Sequence, residues 1–443
     1  MIHKLQRRTV LAGLALAGAT PLMAQTLPAN PDVVIIGAGA AGLSAGRALQ
    51  KKGVSFIIVE ASGRVGGRAY TESTTLGQPL DHGCSWISGS NKNAFTKLAQ
   101  EGGFTLVNHT SAGSALFDLN GNPASDAEWA AYDRAWVSIE RALSRAGKAG
   151  LDVAASSVTP EMPYSATVQS WMGAMDYGVD FDQVSTADYW ESADDQPSFF
   201  VREGLGAVVA TLAQGLPISL NTPVSAIDYS GPGVSVETAT GTIRAKACIV
   251  TVSTGVLASG KIKFTPALPV AKQEAIADIP MGLLMKVPLM FDGARLGFEE
   301  NDWVTHRIPE DKAGEACFFV AWPCGHDYIF GNIGGRFGWE LSAQGSDAVV
   351  DYALSELICL VGSDARKHFI KGLATDWAEN PLTLGAYGAP RPGKNSAREV
   401  LGKPVGDTLF FAGEAMAGEV SALVNGAYVS GKKTAKKVAK ALA

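Results

Sequence analysis

The stretch from residue 32 to residue 60 restricts the fold more than any other part of the chain. Asp32 to Ile36 is a short, apolar, β-branched run, the pattern of a buried strand. Gly37, Gly39 and Gly42 follow at G-x-G-x-x-G spacing, Ala40 to Gln50 reads as a helix, and Ser55 to Glu60 reads as a second strand. Strand, glycine turn, helix and strand make a βαβ unit. In such a unit the first glycine permits the tight turn, the second lets a pyrophosphate approach the backbone, and the third lets helix and strand pack closely. The helix start at Ala40 and Ala41 presents unpaired N–H groups and a partial positive charge to phosphates. Glu60 stands where a carboxylate can take ribose hydroxyls. A glycine-rich packing turn is the alternative. It requires neither the flanking strand and helix nor an acid at the next strand end.

Similar signals recur in the middle and at the end of the chain. A helix is predicted over Leu205 to Gln214, then strands over Val224 to Tyr229, Val234 to Thr238, Gly241 to Ala247 and Cys248 to Val252. Thr408 to Ala412 reads as a strand and Asn425 to Ala441 as a closing helix. Between these lie a helical stretch, Ala124 to Lys148, with Trp129, Trp136, Ile139 and Leu143 on one face, a sheet-like segment from 280 to 335, and a helix over Ala348 to Leu360. The expected class is α/β plus α+β. A discontinuous Rossmann-like domain (26–115, 200–265 and 375–443) is interleaved with a second domain of mixed sheet and helices (116–199 and 266–374).

Composition narrows the partners. The formal net charge is -6 and no basic stripe runs along the chain, which argues against nucleic acid. Lys432, Lys433, Lys436, Lys437 and Lys440 read as the solvated face of the terminal helix. Arg7 and Arg8 precede an apolar stretch, Val10 to Leu22, with Ala24 as a cleavage residue. That stretch falls short of the ~20 apolar residues a span needs. It fits a twin-arginine-type signal peptide over residues 1–25, which exports folded cargo to the periplasm or beyond. An uncleaved N-terminal anchor is the alternative, and no further membrane span is read. The five cysteines, Cys84, Cys248, Cys317, Cys324 and Cys359, are not a disulfide framework, although Cys317 and Cys324 could pair. The histidines show no metal-ligand spacing with cysteines or carboxylates, so no metal is expected.

The choice of cofactor rests on the next loop. Glu60, Ala61, Arg64, Gly66, Gly67 and Arg68 resemble the second signature of the flavin amine oxidase family (monoamine and polyamine oxidases, closest in motif to the latter). Asp81-His-Gly-Cys-Ser85-Trp86 is similar to its D-x-G-x-x-W loop, and Val224 with Ile227 to the strand over the adenine. The run from Val250 to Leu257 and on to Phe264-Thr-Pro266 is similar to a polyamine oxidase stretch. Phe410 to Glu414, with Gly413, is similar to the closing F-A-G-E motif, and Val424 through Ala427 to Gly431 to the final helix. The resemblance implies FAD. Its pyrophosphate would be wrapped by Arg64, Gly67 and Arg68, Glu414 would bond the flavin's sugar-like linker, and the helix start at Val424 would point at the pyrimidine edge, where negative charge builds on reduction.

The same resemblance implies oxidation of a small amine by hydride transfer to flavin N5, giving an imine that water hydrolyses, with O2 reoxidising the flavin. Lys286, in a strongly apolar segment, matches the lysine that relatives bond through a water to N5. A solvent-facing edge-strand lysine is the alternative. Trp86, Tyr387 and Trp377 are the expected pocket walls. The chain departs from its relatives at Leu423, where a cage aromatic is usual, at Ser88, where polyamine oxidases carry a glutamate, and at Gly385, where some monoamine oxidases attach flavin to cysteine. Those departures imply non-covalent FAD and weaken the case for a polycationic substrate. A dehydrogenase with a periplasmic protein acceptor, an amino-acid oxidase using Arg202, Arg307, Arg336 or Arg391, and a catalytically silent flavoprotein stay open.

Overall fold

Five short, mostly apolar strands assemble into a parallel sheet in the order Leu409–Phe411, Ala247–Val250, Val33–Ile36, Phe56–Val59, Ile218–Ser219. The computed structural model describes residue 28 and residues 30–89, 92–192 and 197–443, so the expected signal peptide, 1–25, lies outside the described residues. Val33–Ile36 and Phe56–Val59 are buried throughout, as strands covered on both faces must be. One face carries the helices Ala40–Gln50 and Val424–Ala441. They cross where a Cβ on Gly431 would lie 2.0 Å from the Ala41 carbonyl oxygen, and Ser44 Oγ donates to Tyr428 O at 2.8 Å. The other face carries a four-stranded sheet ordered Gly241–Ala245, Val234–Thr238, Val224–Asp228, Lys263–Thr265. Its Ile227 and Val236 pack on Val34, Ile36, Ile57 and Val59. Three layers thus form from segments far apart in sequence.

The interleaved region is built on a six-stranded sheet ordered Phe369–Gly372, Leu284–Phe291, Tyr328–Gly334, Phe318–Val320, Trp303–His306, Ser114–Phe117. It is antiparallel except for its last pair. The expected boundary at residue 115 therefore falls inside a strand of this sheet. Helix Ser346–Val361 packs on it through Val349, Ala353, Leu354 and Leu357. The insertion before it opens with Asp126–Lys148, where Ser125 and Glu128 form a capping box. Ile139 and Leu143 are buried on the face predicted, with Trp129 and Trp136 partly buried beside them. The predicted elements keep their type, with ends moved by a few residues: the helix expected to reach Gln214 ends at Thr211. All five cysteines are free thiols, so Cys317 and Cys324 do not pair.

Candidate active site

The three glycines of the first turn do different work. Gly37 holds a φ of 102°, reachable without strain only by glycine, and donates its N–H to Val59 O at 2.8 Å. A Cβ on Gly42 would sit 1.9 Å from Gly37 O, so this glycine permits the close packing of helix on turn. A Cβ on Gly39 would meet nothing nearer than Gly66 O at 3.9 Å, so this is the glycine that leaves room for a ligand. Gly39 is the N-cap and offers no side-chain acceptor, and no acidic residue lies in the first turn. The amides of Ala40, Ala41 and Gly42 thus head the helix uncapped.

The second glycine loop lies against the first. Gly66 N–H donates to Ala38 O at 2.9 Å, and a Cβ on Gly67 would come within 3.4 Å of Gly39 Cα. Glu60 stitches the cradle together. Its Oε2 accepts from Ala38 N at 2.7 Å, and its Oε1 from Ser62 N at 2.8 Å and Ser62 Oγ at 2.7 Å. Thr222 N donates to Glu60 O at 2.8 Å, which brings half-buried Val224 towards Glu60 and Ala61. Arg64 braces the loop from within: Nη1 donates to Gly67 O at 2.8 Å, the guanidinium lies 3.9 Å over the Tyr70 ring, and burial lowers its pKa.

Arg68 reaches to the far end of the chain. Its Nη1 donates to Glu414 Oε1 at 2.9 Å and to Ala386 O at 2.6 Å, and Gly388 N donates to the same Glu414 oxygen at 3.2 Å. The other oxygen, Glu414 Oε2, is buried and has no partner. A buried carboxylate oxygen without a donor is costly and rare. The Glu414 segment packs on the uncapped helix starting at Val424, whose N-cap Leu423 gives no side-chain bond and whose first turn holds no acid. A phosphate-bearing, hydroxyl-bearing dinucleotide fits this set. Gly413 N–H is tied to Ser430 Oγ at 3.1 Å, and Ala427 N–H to Leu423 O at 3.1 Å.

Lys286 lies within strand Leu284–Phe291, which is paired on both sides, so it is not an edge lysine facing solvent. It is buried, and its Nζ donates to Asp81 O at 3.0 Å, Gly83 O at 2.8 Å and Ser85 Oγ. The structure gives its donors to the Asp81–Trp86 loop. Burial pushes its pKa down to about 8, and nearby Asp81 opposes the shift. Asp81 itself caps helix Leu205–Thr211. Its Oδ2 accepts from Leu205 N at 2.9 Å and its Oδ1 from Gly206 N at 3.0 Å and Thr71 Oγ1 at 2.5 Å. The D-x-G-x-x-W loop is thereby held from both sides.

Of the expected walls, Trp86 and Tyr387 are half-buried and Trp377 is buried. Trp377 is packed in the core behind the loop. Its Nε1 donates to His82 O at 3.0 Å, and its ring faces Gly83, where a Cβ would lie 3.3 Å from Cζ2. Trp86 stacks on Trp303 at 5.6 Å and 7°, and Trp303 meets Trp171 edge to face at 5.2 Å. Tyr387 hydroxyl donates to Met175 O at 3.2 Å, at the end of the π-helical turn Trp171–Met175. Trp171 and Trp303 were missed by the sequence reading, because one tryptophan in an insertion and one in a strand are indistinguishable from core. A further omission is Arg398, which donates to both Asp188 oxygens at 2.7 and 3.0 Å, to Ala415 O at 2.9 Å and to Gly388 O at 3.1 Å. It latches the insertion to the segments carrying Glu414. Of the arginines weighed for a substrate carboxylate, Arg336 pairs with Asp180 and Glu340, Arg307 lies near Glu310 and over Tyr164, and Arg202 and Arg391 are exposed. Among the described residues no group of His, Cys, Asp and Glu is placed to hold a metal ion, and no helix is long and apolar enough to cross a membrane.

Comparison with known proteins adds three findings. The family model of the flavin containing amine oxidoreductases matches residues 40–122 and 141–439. Polyamine oxidase 4 of Oryza sativa subsp. japonica is 31% identical over 450 residues, which cover 93% of this chain and 89% of that protein. Among solved structures, putrescine oxidase bound to putrescine superposes with a TM-score of 0.78 at 20% identity, over 93% of this chain and 99% of that one. Cyclohexylamine oxidase from Brevibacterium oxydans superposes at 0.75 and 22% identity, with the same coverage.

Proposed function

This chain belongs to the flavin-containing amine oxidoreductases and its cofactor is FAD. From that premise we infer that it oxidises a small primary or secondary amine to an imine, which water hydrolyses to a carbonyl, with O2 reduced to H2O2. The observation that carries the choice of substrate is the cluster of half-buried tryptophans Trp86, Trp303 and Trp171 beside the loop held by Lys286. Aromatic faces attract an arriving ammonium and then hold the neutral amine by contact area. Ser88, at the position of a glutamate in polyamine oxidases, adds no charge for a second ammonium.

Bound FAD supplies the two-electron acceptor for the C–H bond beside the amine nitrogen. The chain's residues bind, orient and exclude water. Glu414 Oε2, which has no partner of its own, would accept a hydroxyl of the cofactor, and the uncapped helix starts at Ala40 and Val424 would favour its anionic parts. Lys286 fixes the Asp81–Trp86 loop and so the placement of Trp86. Gly385 supports non-covalent attachment: its φ is 130° and a Cβ there would lie only 2.4 Å from Met281 Cβ, which leaves no room for a cysteine. Arg7, Arg8 and the apolar run after them support export of the folded, loaded protein to the periplasm.

The test is anaerobic titration of the mature holoprotein with aliphatic and aromatic monoamines, diamines and polyamines, following the flavin absorbance. Bleaching by a monoamine and rapid return of colour in air are expected. Bleaching only by polyamines would overturn the substrate reading, and slow return in air would favour a protein acceptor. Export is checked by replacing Arg7 and Arg8 with Lys, which should retain the protein in the cytoplasm.

A further inference from the structure

His109 follows the strand Leu106–Asn108 and belongs to none of the motifs that mark the cofactor site. It is 3% exposed, and both ring nitrogens are engaged. Trp86 Nε1 approaches Nδ1 at 3.0 Å, and Nε2 approaches the Asn301 carbonyl oxygen at 2.9 Å. The partners fix the tautomer. Indole nitrogen only donates and a carbonyl only accepts, so Nδ1 is the acceptor and Nε2 carries the proton. The Asn301 carbonyl is itself held in place. Asn301 N–H donates to Ala321 O at 2.8 Å, and its Oδ1 accepts from Cys324 N at 2.8 Å. The imidazole is wedged between Phe200, with centroids 4.3 Å apart, and Trp303, at 4.9 Å.

An indole has two side-chain dihedrals, and here three neighbours limit them. Trp303 stacks on one face at 5.6 Å, Phe200 lies at 5.1 Å and Phe330 meets it edge-on at 5.9 Å. Those contacts are apolar and tolerate sliding. The bond to His109 is directional and selects one orientation among the sterically allowed ones. Asn301 and Trp303 belong to the interleaved region, and Trp86 to the cofactor-side loop.

We propose that His109 is the positioning residue for Trp86, fixing the plane of the indole that forms one wall of the amine site and so setting how tightly the amine is held. The proposal rests on the amine-oxidation reading above, but its structural half can be tested without turnover. His109→Phe keeps a ring and removes the acceptor, leaving the buried indole N–H unpaired. His109→Asn keeps an acceptor near the Nδ1 position, and His109→Gln keeps a donor near Nε2. For His109→Phe, KM for the best amine should rise about tenfold, because the indole turns to pair its N–H and returning it to the native plane leaves that buried donor unpaired, with the limiting rate of flavin reduction changed less than about twofold. His109→Asn should recover most of that affinity, and His109→Gln should resemble Phe. The exciton signal of the stacked Trp86–Trp303 pair in circular dichroism should collapse in Phe and Gln and persist in Asn. On a Trp86→Phe background, His109→Phe should add nothing to KM, because the two act as one unit.

An unchanged dichroism signal in His109→Phe, an additive effect with Trp86→Phe, or better function from Gln than from Asn would each overturn the proposal. If His109→Phe fails to fold, the Asn and Gln pair decides the matter. If no amine reduces the wild-type flavin, the functional reading fails, whereas the dichroism comparison still tests the orientation of Trp86.

Discussion

Glu414→Gln is the substitution that most directly tests the cofactor site. The change keeps the shape of the side chain and removes one of its two acceptors. Glu414 Oε1 already takes Arg68 Nη1 at 2.9 Å and Gly388 N at 3.2 Å, and Oε2 waits for a donor. A glutamine can keep its oxygen towards Arg68 and Gly388, so that its NH2 faces a cofactor hydroxyl, or it can turn round and present NH2 to two donors. In the first orientation the NH2 donates to the hydroxyl oxygen, so a charge-assisted bond becomes a neutral one, and in the second two donors face an NH2; the cost is about 1–3 kcal/mol. At 1.4 kcal/mol per factor of ten, FAD should bind about 5- to 150-fold more weakly. The ion pair with Arg68 is present in apo- and holoprotein alike, so its loss cancels from the affinity for FAD. Fluorescence titration of apoprotein with FAD measures the change. Melting of the apoprotein serves as the control, because Oε2 has no partner there to lose. FAD binding within twofold of wild type would refute the assignment, and so would a fall in apoprotein stability large enough to account for the whole loss of affinity.

Acid precipitation of the holoenzyme should release all the flavin into the supernatant, and Gly385→Cys should give poorly folded protein rather than a covalent adduct; coloured pellets in either case would contradict the Gly385 geometry. Asp188→Ala strands the buried Arg398 guanidinium and should cost about 3–5 kcal/mol of stability, read from urea midpoints; a loss below about 1 kcal/mol would show that the latch is ornamental. His109 and His306 are both held by burial at about 4, below the ordinary 6.5. Between those values the unfolded chain binds more protons, so stability is present above pH 6.5 and is lost as pH falls towards 4. Replacing His306 with Phe should flatten that slope, although nearby Glu356, whose pKa is raised by burial, works in the opposite sense.

What could be read from the chain and what could not divides along a physical line. The βαβ unit was legible because its constraints are local: a φ of 102° at Gly37 and the contact of Gly42 with Gly37 O exist within six residues. Glu414 and Val424 were legible only through motif resemblance, since the orphaned carboxylate oxygen exists only once Arg68, Gly388 and Glu414 have met across more than three hundred residues. Trp377 looked the same as Trp86 in sequence, an aromatic beside a flavin motif. The two part ways on where their indole N–H groups go, one to the His82 carbonyl in the core and the other to His109. Lys286 shows the same dependence. Its apolar setting announced a buried ammonium, but the partners that make burial tolerable, Asp81 O, Gly83 O and Ser85, lie some two hundred residues away on a loop that Asp81 anchors to a helix. A side chain's role here follows from how its polar atoms are satisfied. That is decided by which distant segments share the site, so composition and spacing locate the cofactor cradle while the amine wall emerges only from the assembled fold.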